Sequence, residues 1–293
     1  MVRRFTPAGP GLPEGPPAGD PRARPQAYPL AMRVRRPAVA GTFYPDDPVI
    51  LAGTVDGYVA SAERVASAGA GAPRAVIAPH AGYLYSGPVA GSAFAAVPRR
   101  APYRRVVVLG PSHYVPFRGL ALPTAEVFAT PLGEVPVDAD AASALADLPQ
   151  VVTDDEPHRR EHSLEVELPF LQRRLGEFRV VPLSVGDAAP DEVAEVIERL
   201  EGDDTLVVVS TDLSHYHRYD VARRIDARTS AAIEALDADA IGEGDACGRV
   251  PLRGLLARAR ARGWTCRRLD LRNSGDTAGP DDRVVGYGAY VLG

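Results

Sequence analysis

The residues able to do chemistry in this 293-residue chain gather at the ends of apolar runs. Leu206–His217 reads LVVVSTDLSHYH, a strand-length apolar stretch that empties into Asp212, His215 and His217. Two earlier stretches share the design. Ala75–Tyr83 (AVIAPHAGY) ends on His80 and Val106–Tyr114 (VVVLGPSHY) on His113, each in a turn rich in Pro, Gly or Ser. Imidazole and carboxylate groups ligate divalent metals and also act as general acids and bases. Buried strands of α/β proteins present reactive side chains at their carboxyl ends, so three strands delivering three polar tips imply one shared cleft.

Each candidate has a plainer reading beside the functional one. A single histidine beyond a strand usually caps or hydrogen-bonds, but His80 and His113 share a grammar in which the turn sets the geometry a ligand needs. Asp212 and His215 are three apart, so a helical turn would bring them together and let the Asp orient the His as general base. Their alternative is an N-cap with a surface imidazole, and His217 reads as a bystander. His158-Arg159-Arg160-Glu161-His162 matches H-x-x-E-H, the pattern of inverted zinc peptidases. Pro157 and the acidic loop before it argue for a helix that begins near His162, so the two imidazoles need not share a face. Glu161 would then sit in a solvated helix start, near the positive end of the dipole. Cys247, in Asp245-Ala246-Cys247-Gly248-Arg249, is flanked by small residues that would let a metal approach, whereas a buried apolar Cys is the common alternative. Cys266 lies in a strand-like run and reads as core. The residues alone reach a metal or acid/base site of undefined type.

Composition narrows the class. With 45% hydrophobic residues the chain can bury a substantial core, and its net charge of −5 and pI near 5.7 give no footprint for nucleic acid. All the basic residues are Arg, which removes Schiff-base chemistry and a Walker-type phosphate lysine. Two cysteines are too few for a disulfide framework, and no apolar run reaches the ~18 residues of a membrane span, so a cytoplasmic protein is expected. Arg3–Arg4 is followed by Pro and Gly where a twin-arginine signal would carry an apolar region.

The elements that must position these tips follow from periodicity. Residues 1–30 are dense in Pro, Gly and Arg and read as a disordered tail, leaving 31–293 as a single domain. Helices are expected over Val49–Ala66, from about Pro88, near Ala139–Leu145, and over Glu161–Leu175, Pro190–Leu200, Tyr219–Leu236 and Pro251–Arg262. In the fourth, Leu164, Leu168, Leu171 and Leu175 mark a buried face and Pro169 should kink the helix or limit its start. Strands are expected at Ala75–Ala78, Val106–Leu109, Arg179–Ser184, Leu206–Ser210, Thr265–Leu271 and Val284–Leu292, with a short hairpin over the cleft within Leu120–Val137. Strands alternating with helices predict an α/β fold, an αβα layered sandwich around a central mixed, largely parallel sheet.

The chain resembles the Memo-like proteins, known in bacteria as AmmeMemoRadiSam system protein B. The matching stretches are RRPAVAGTFYP from Arg35, PHAGYLYSGPVAGSAF, VVVLGPSHY, TPLGEVPVD, EHSLEVELPFL, STDLSHY, ACGRVP and the closing VVGYGAYV. They run in family order over nearly the whole globular part. The resemblance implies the fold of class III extradiol dioxygenases, non-haem Fe(II) enzymes in which two His and a carboxylate hold one face of the metal. Carried over by motif, His80 and His113 are the two histidines, and Cys247 stands where the carboxylate is expected. The implied metal set is His80, His113 and Cys247. A thiolate favours Cu(I) or Zn as well as Fe(II), and is itself oxidisable, so ordinary ring cleavage is not implied. The EHS stretch resembles the dioxygenase segment that supplies the catalytic acid/base, which makes His162 a pocket residue. Asp212 and His215 become further acid/base groups.

The leading expectation is a metal protein holding iron or copper, with zinc as a third fit, and performing redox or O₂-dependent chemistry on a small substrate. A peptide- or phosphate-binding adaptor is the alternative, because animal Memo is linked to receptor tyrosine kinase signalling and the PHAGY turn offers backbone N–H groups to an anion. A zinc peptidase is the third. The bacterial family name further implies a radical-SAM protein and an AMMECR-type protein as partners; no CxxxCxxC motif stands in this chain, so radical chemistry would have to come from such a partner.

Overall fold

Alternate apolar positions on four central strands dictate the layering. A computed structural model describes residues 32–63 and 71–293, so the tail expected over 1–30 lies outside the described residues. In chain order the elements begin with β1 (Val34–Arg35), α1 (Pro48–Glu63), β2 (Ala75–Ala78), α2 (Tyr83–Ala95) and β3 (Arg105–Pro111). There follow β4 (Leu120–Leu122), β5 (Val127–Thr130), β6 (Gly133–Pro136), α3 (Ala139–Ala144), β7 (Val151–Thr153) and α4 (Glu156–Arg159). A 3₁₀ turn at Glu165–Glu167 leads into α5 (Leu168–Leu175), then β8 (Arg179–Val185), α6 (Pro190–Leu200), β9 (Thr205–Ser210) and β10 (His215–His217). The chain closes with α7 (Tyr219–Glu234), α8 (Arg249–Arg262), β11 (Cys266–Asn273), a 3₁₀ turn at Ser274–Asp276 and β12 (Val284–Leu292).

The main sheet has the order β10-β12-β2-β9-β3-β8-β4-β7, with β11 also paired to β12. Its centre, β2-β9-β3-β8, is parallel, while β12 joins β2 and β4 joins β8 antiparallel. The fold is therefore the mixed α/β sandwich expected from the sequence. Side chains of a strand alternate between faces. Val76, Ala78, Val106, Val108, Leu206 and Val208 pack against α1, α2 and α5. Ala75, Ile77, Val107, Leu109, Val207 and Val209 pack against α6 and α8. Each fully buried Val, Leu or Ile contributes about 1.5–3 kcal/mol of transfer free energy, so the two faces together hold the sheet rigid beneath the cleft.

Three expectations need correction. The helix expected from about Pro88 starts at Tyr83, with Pro88 inside it. Burial of Tyr83, Val89, Ala93 and Phe94, and the Tyr83 hydroxyl's bond to Val166 O at 2.6 Å, outweigh the one backbone bond that proline removes. The segment Leu120–Val137 divides: β4 joins the main sheet, and only β5 and β6 form a hairpin, in a small sheet with β1. The helix expected over Glu161–Leu175 is irregular until the 3₁₀ turn, and regular α geometry begins only at Leu168, with Pro169 in its first turn. Leu164, Leu168, Leu171 and Leu175 are buried as the spacing predicts.

The irregular segment is pressed onto β3 at Gly110, where an added Cβ would lie 2.5 Å from Ser163 Oγ and 2.9 Å from Ser163 Cβ. Gly53, on the exposed side of α1, has nothing among the described residues within 4 Å of such a Cβ. The same substitution should thus act with opposite signs. Gly110→Ala should destabilise by about 1–3 kcal/mol through overpacking, and Gly53→Ala should stabilise by about 0.5–1 kcal/mol through helix propensity. Urea unfolding of the two variants checks both.

Candidate metal centre

Because β2, β9 and β3 are parallel neighbours, their carboxyl ends open on one edge of the sheet. The ladder continues past the strand ends, since Thr211 N donates to Ala78 O at 2.8 Å and His80 N to Asp212 Oδ1 at 2.8 Å. Ala81 N reaches the same carboxylate oxygen at 3.3 Å. His80 is buried, and its Nδ1 lies 2.8 Å from Ser210 Oγ, the last residue of β9. Ser210 Oγ is in turn 2.6 Å from Ser163 O and 2.7 Å from Glu167 Oε1. A hydroxyl whose single proton goes to one of those oxygens offers His80 a lone pair, so Nδ1 carries the hydrogen and Nε2 is the basic atom.

Glu161 arranges the second histidine. Its carboxylate accepts from His113 N at 2.7 Å, His113 Nδ1 at 2.8 Å, His162 N at 2.9 Å and Ser163 N at 2.9 Å. With Nδ1–H given to a carboxylate, His113 also turns Nε2 outward as its basic atom, the arrangement by which proteins fix metal-binding histidines. His162 stacks on His113 with ring centroids 4.7 Å apart, and Phe43 packs on its other neighbourhood at 4.7 Å. The rings of His80 and His113 are 5.2 Å apart, and those of His80 and His162 5.4 Å.

Cys247 arrives from the loop before α8. Its Sγ lies 3.2 Å from His80 Nε2 and accepts from Asp212 N at 3.3 Å, while Cys247 N donates to Asp212 O at 3.2 Å. Gly248 permits this approach, because a Cβ there would stand 2.6 Å from Thr211 Cβ and 2.8 Å from Ser210 O. Its N–H is held by Thr211 Oγ1 at 2.8 Å.

Burial governs the electrostatics. It drives His80 well below the ordinary histidine range, with help from His113 and His162. Burial also lowers His162 to about 4 and lowers His215. These imidazoles are neutral and present lone pairs. Burial pushes Asp212 up to about 7 despite the N–H bonds from His80 and Ala81, and pushes the Cys247 thiol up, with the Asp212 charge adding to it. For Glu161, burial alone would raise the pKa, but the His113 ring and the N–H groups of His113 and Ser163 outweigh it and hold the carboxyl at about 2.

Two sets of ligand atoms fall within 4.8 Å of one another among the described residues: His80, His113 and His162, and His80, Asp212 and Cys247. The trio implied by the resemblance, His80, His113 and Cys247, is divided between them, and both meet at His80. The donor set suits a metal. Nitrogen and sulfur converge, the far nitrogens of His80 and His113 are already committed, and His162 Nδ1 is buried without a hydrogen bond among the described residues.

The remaining sequence candidates are placed as follows. Asp212 and His215 do not pair through a helical turn: Asp212 faces the His80 backbone, and His215 opens β10. His217 is exposed, as a bystander should be, and Cys266 is partly buried at the start of β11. His158 joins neither metal set. Its Nε2 meets Ala121 O at 2.9 Å and its ring lies against Phe128, so the H-x-x-E-H imidazoles do not converge. Glu161, expected at a solvated helix start, is only 1% exposed and is the orienting group of His113. In the PHAGY turn, expected to offer its N–H groups to an anion, those of His80 and Ala81 are occupied by Asp212 and that of Tyr83 by Phe43 O. Sequence reasoning also missed Ser210 and Glu167. The signal for the latter was present, since a glutamate inside the apolar run Leu164–Leu171 has to be buried and satisfied.

The depressed Glu161 pKa sets a pH dependence. A carboxyl whose folded pKa lies below its unfolded one stabilises above the ordinary carboxylate range and loses that contribution as pH falls through about 2. Glu161→Gln, which cannot accept all four donors, should cost about 3–5 kcal/mol at neutral pH and flatten the acid limb between about pH 4.5 and pH 2. Denaturant titrations across that range check both effects.

Residues 35–291 match the family model for Memo-like proteins. The chain is 36% identical to a MEMO1 family protein of Aeropyrum pernix over 278 residues, covering 88% of this chain and 99% of the relative. It is 36% identical to MEMO1 family protein MK0963 of Methanopyrus kandleri over 287 residues (88% and 98%), and 35% identical to a MEMO1 family protein of Aquifex aeolicus over 271 residues (87% and 98%). A solved structure, the uncharacterized protein JW3007 from Escherichia coli K12, shares the fold at a TM-score of 0.50 and 14% identity, covering 75% of this chain and 99% of its own. The motifs that resembled one family, the sheet that carries them and the extent of these matches agree: the chain belongs to the family of Memo-like proteins.

Proposed function

We propose that the chain is a non-haem metal protein that binds one iron or copper ion through His80, His113 and Cys247 and performs redox chemistry on a small substrate. The observation that carries the reading is the meeting of two metal-capable residue sets at His80, beneath the carboxyl ends of three parallel strands. Zinc suits the same donors, but the softness of a thiolate beside two imidazoles matches Cu(I) and Fe(II) as well. Such an ion, when bound, supplies one-electron chemistry and a Lewis-acid contact for a substrate oxygen.

The chain's own groups then divide the work. His80 and His113 present Nε2 because Ser210 and Glu161 hold their Nδ1 atoms. Cys247 has to lose its proton before its sulfur can ligate, and burial raises the energy of the bare thiolate, so the bond to a cation is what compensates. His162, neutral and stacked on His113, is the candidate base for a substrate hydroxyl. Asp212, with a pKa of about 7, can hold or release a proton near neutrality, and His215 is a second neutral base at the same edge.

Metal analysis of anaerobically purified and reconstituted protein tests the reading. Wild type should retain about one equivalent of Fe(II) or Cu(I) after desalting, and His80→Ala and Cys247→Ser should lose most of it. No retained metal in wild type contradicts the proposal. His158→Ala should leave the content unchanged. His215→Ala should keep the ion yet slow metal-dependent O₂ uptake by about 10²-fold, as expected for loss of an acid/base group, whereas complete loss of the ion would make His215 a ligand.

A further inference from the structure

Glu161, Glu165 and Glu167 are all buried, with 1%, 0% and 0% of their surfaces exposed, yet they are not treated alike. Glu161 accepts four hydrogen bonds. Glu165 is paired with Arg35 and also accepts from Ala38 N, Val39 N and the Tyr44 hydroxyl. Among the described residues Glu167 has one hydrogen-bond partner, Ser210 Oγ, and its Oε2 is buried with none. Two of the three sites are built for a carboxylate. The third lacks the donors and the cation that a buried charge requires.

The valence of Ser210 decides what the third site holds. Its Oγ lies within hydrogen-bond distance of Ser163 O, His80 Nδ1 and Glu167 Oε1. A hydroxyl has one proton and two lone pairs. Ser163 O is a carbonyl and can only accept, so satisfying all three partners sends the Ser210 proton there. Both lone pairs must then be met by donors. One is His80 Nδ1–H, and the other can only be an O–H on Glu167.

We propose that Glu167 is a neutral carboxylic acid that donates to Ser210 and, through Ser210, is a positioning residue for His80. The unpartnered Oε2 is then the carbonyl oxygen of an acid, far cheaper to bury than half of a carboxylate. Burial drives the Glu167 pKa well upward, and the neighbouring Asp212 charge adds to it. Tyr83 also faces this carboxyl, with its hydroxyl given to Val166 O. The two histidines of the centre are consequently supported differently. His113 leans on a carboxylate, while His80 leans on a hydroxyl backed by a neutral acid, which keeps a further negative charge away from the thiol of Cys247.

The protonation state stands on hydrogen-bond valence, whereas the role toward His80 rests on the metal reading above, and the test separates them. In metal-free protein at neutral pH, infrared difference spectra of wild type against Glu167→Gln should show one protonated-carboxyl C=O band that the variant lacks. In Co(II) titrations Glu167→Gln, which retains an N–H donor for Ser210, should bind within about two-fold of wild type, while Glu167→Leu and Ser210→Ala should weaken binding about tenfold or more. Absence of the band, or a Gln variant as weak as the Leu variant, overturns the proposal. Wild-type protein that takes up no Co(II) defeats the metal reading and the positioning role together, with the band alone then deciding the protonation state.

Discussion

His80 and His113 each commit Nδ1 to an acceptor of the protein, Ser210 Oγ and Glu161 Oε1, both at 2.8 Å. An imidazole with one nitrogen so engaged has a fixed tautomer and one fixed direction for its remaining lone pair. The rest of the cleft follows from that constraint. Ser210 is the last residue of β9, and Glu161 lies on the segment that Gly110 allows to press against β3. The acceptors are therefore set by the packing of the sheet, and any ligand geometry inherits the rigidity of its two cores.

The same centre shows what that rigidity costs. Three imidazoles, those of His80, His162 and His215, a thiol and two carboxyls are withdrawn from water around one strand edge, and each is displaced from its ordinary titration in the direction that burial dictates, save Glu161, whose four donors reverse it. A folded protein rarely gathers so many displaced groups for stability alone, because replacing them with apolar side chains would commonly be neutral or better. Their concentration at the carboxyl ends of β2, β9 and β3 is what supports the proposed metal site.

Much of this was legible in the residues. Apolar runs of strand length marked β2, β3 and β9, and the abrupt polar tips marked His80, His113 and Asp212, because burial forces continuous apolar sequence and a site forces it to stop. Glu161 was not legible. A glutamate in an acidic loop reads as solvated until the loop is seen folded onto β3. The pairing of Asp212 with the His80 backbone joins residues that are distant in sequence but adjacent in the sheet, and no local spacing encodes it. Pro88 misled because first-turn preference is a local rule, and the packing of Tyr83 and Phe94 overrode it. Cys247 was a candidate from its small neighbours, but its place as a ligand came only through resemblance, for a cysteine among small residues reads equally well as core.

X-ray absorption at the metal edge of protein loaded with Zn(II) tests the central claim most directly. Coordination by His80, His113 and Cys247 predicts one sulfur at about 2.3 Å and two imidazole nitrogens at about 2.0–2.1 Å. Three imidazoles with no sulfur would assign the ion to His80, His113 and His162, and would contradict the account of Cys247 as a ligand.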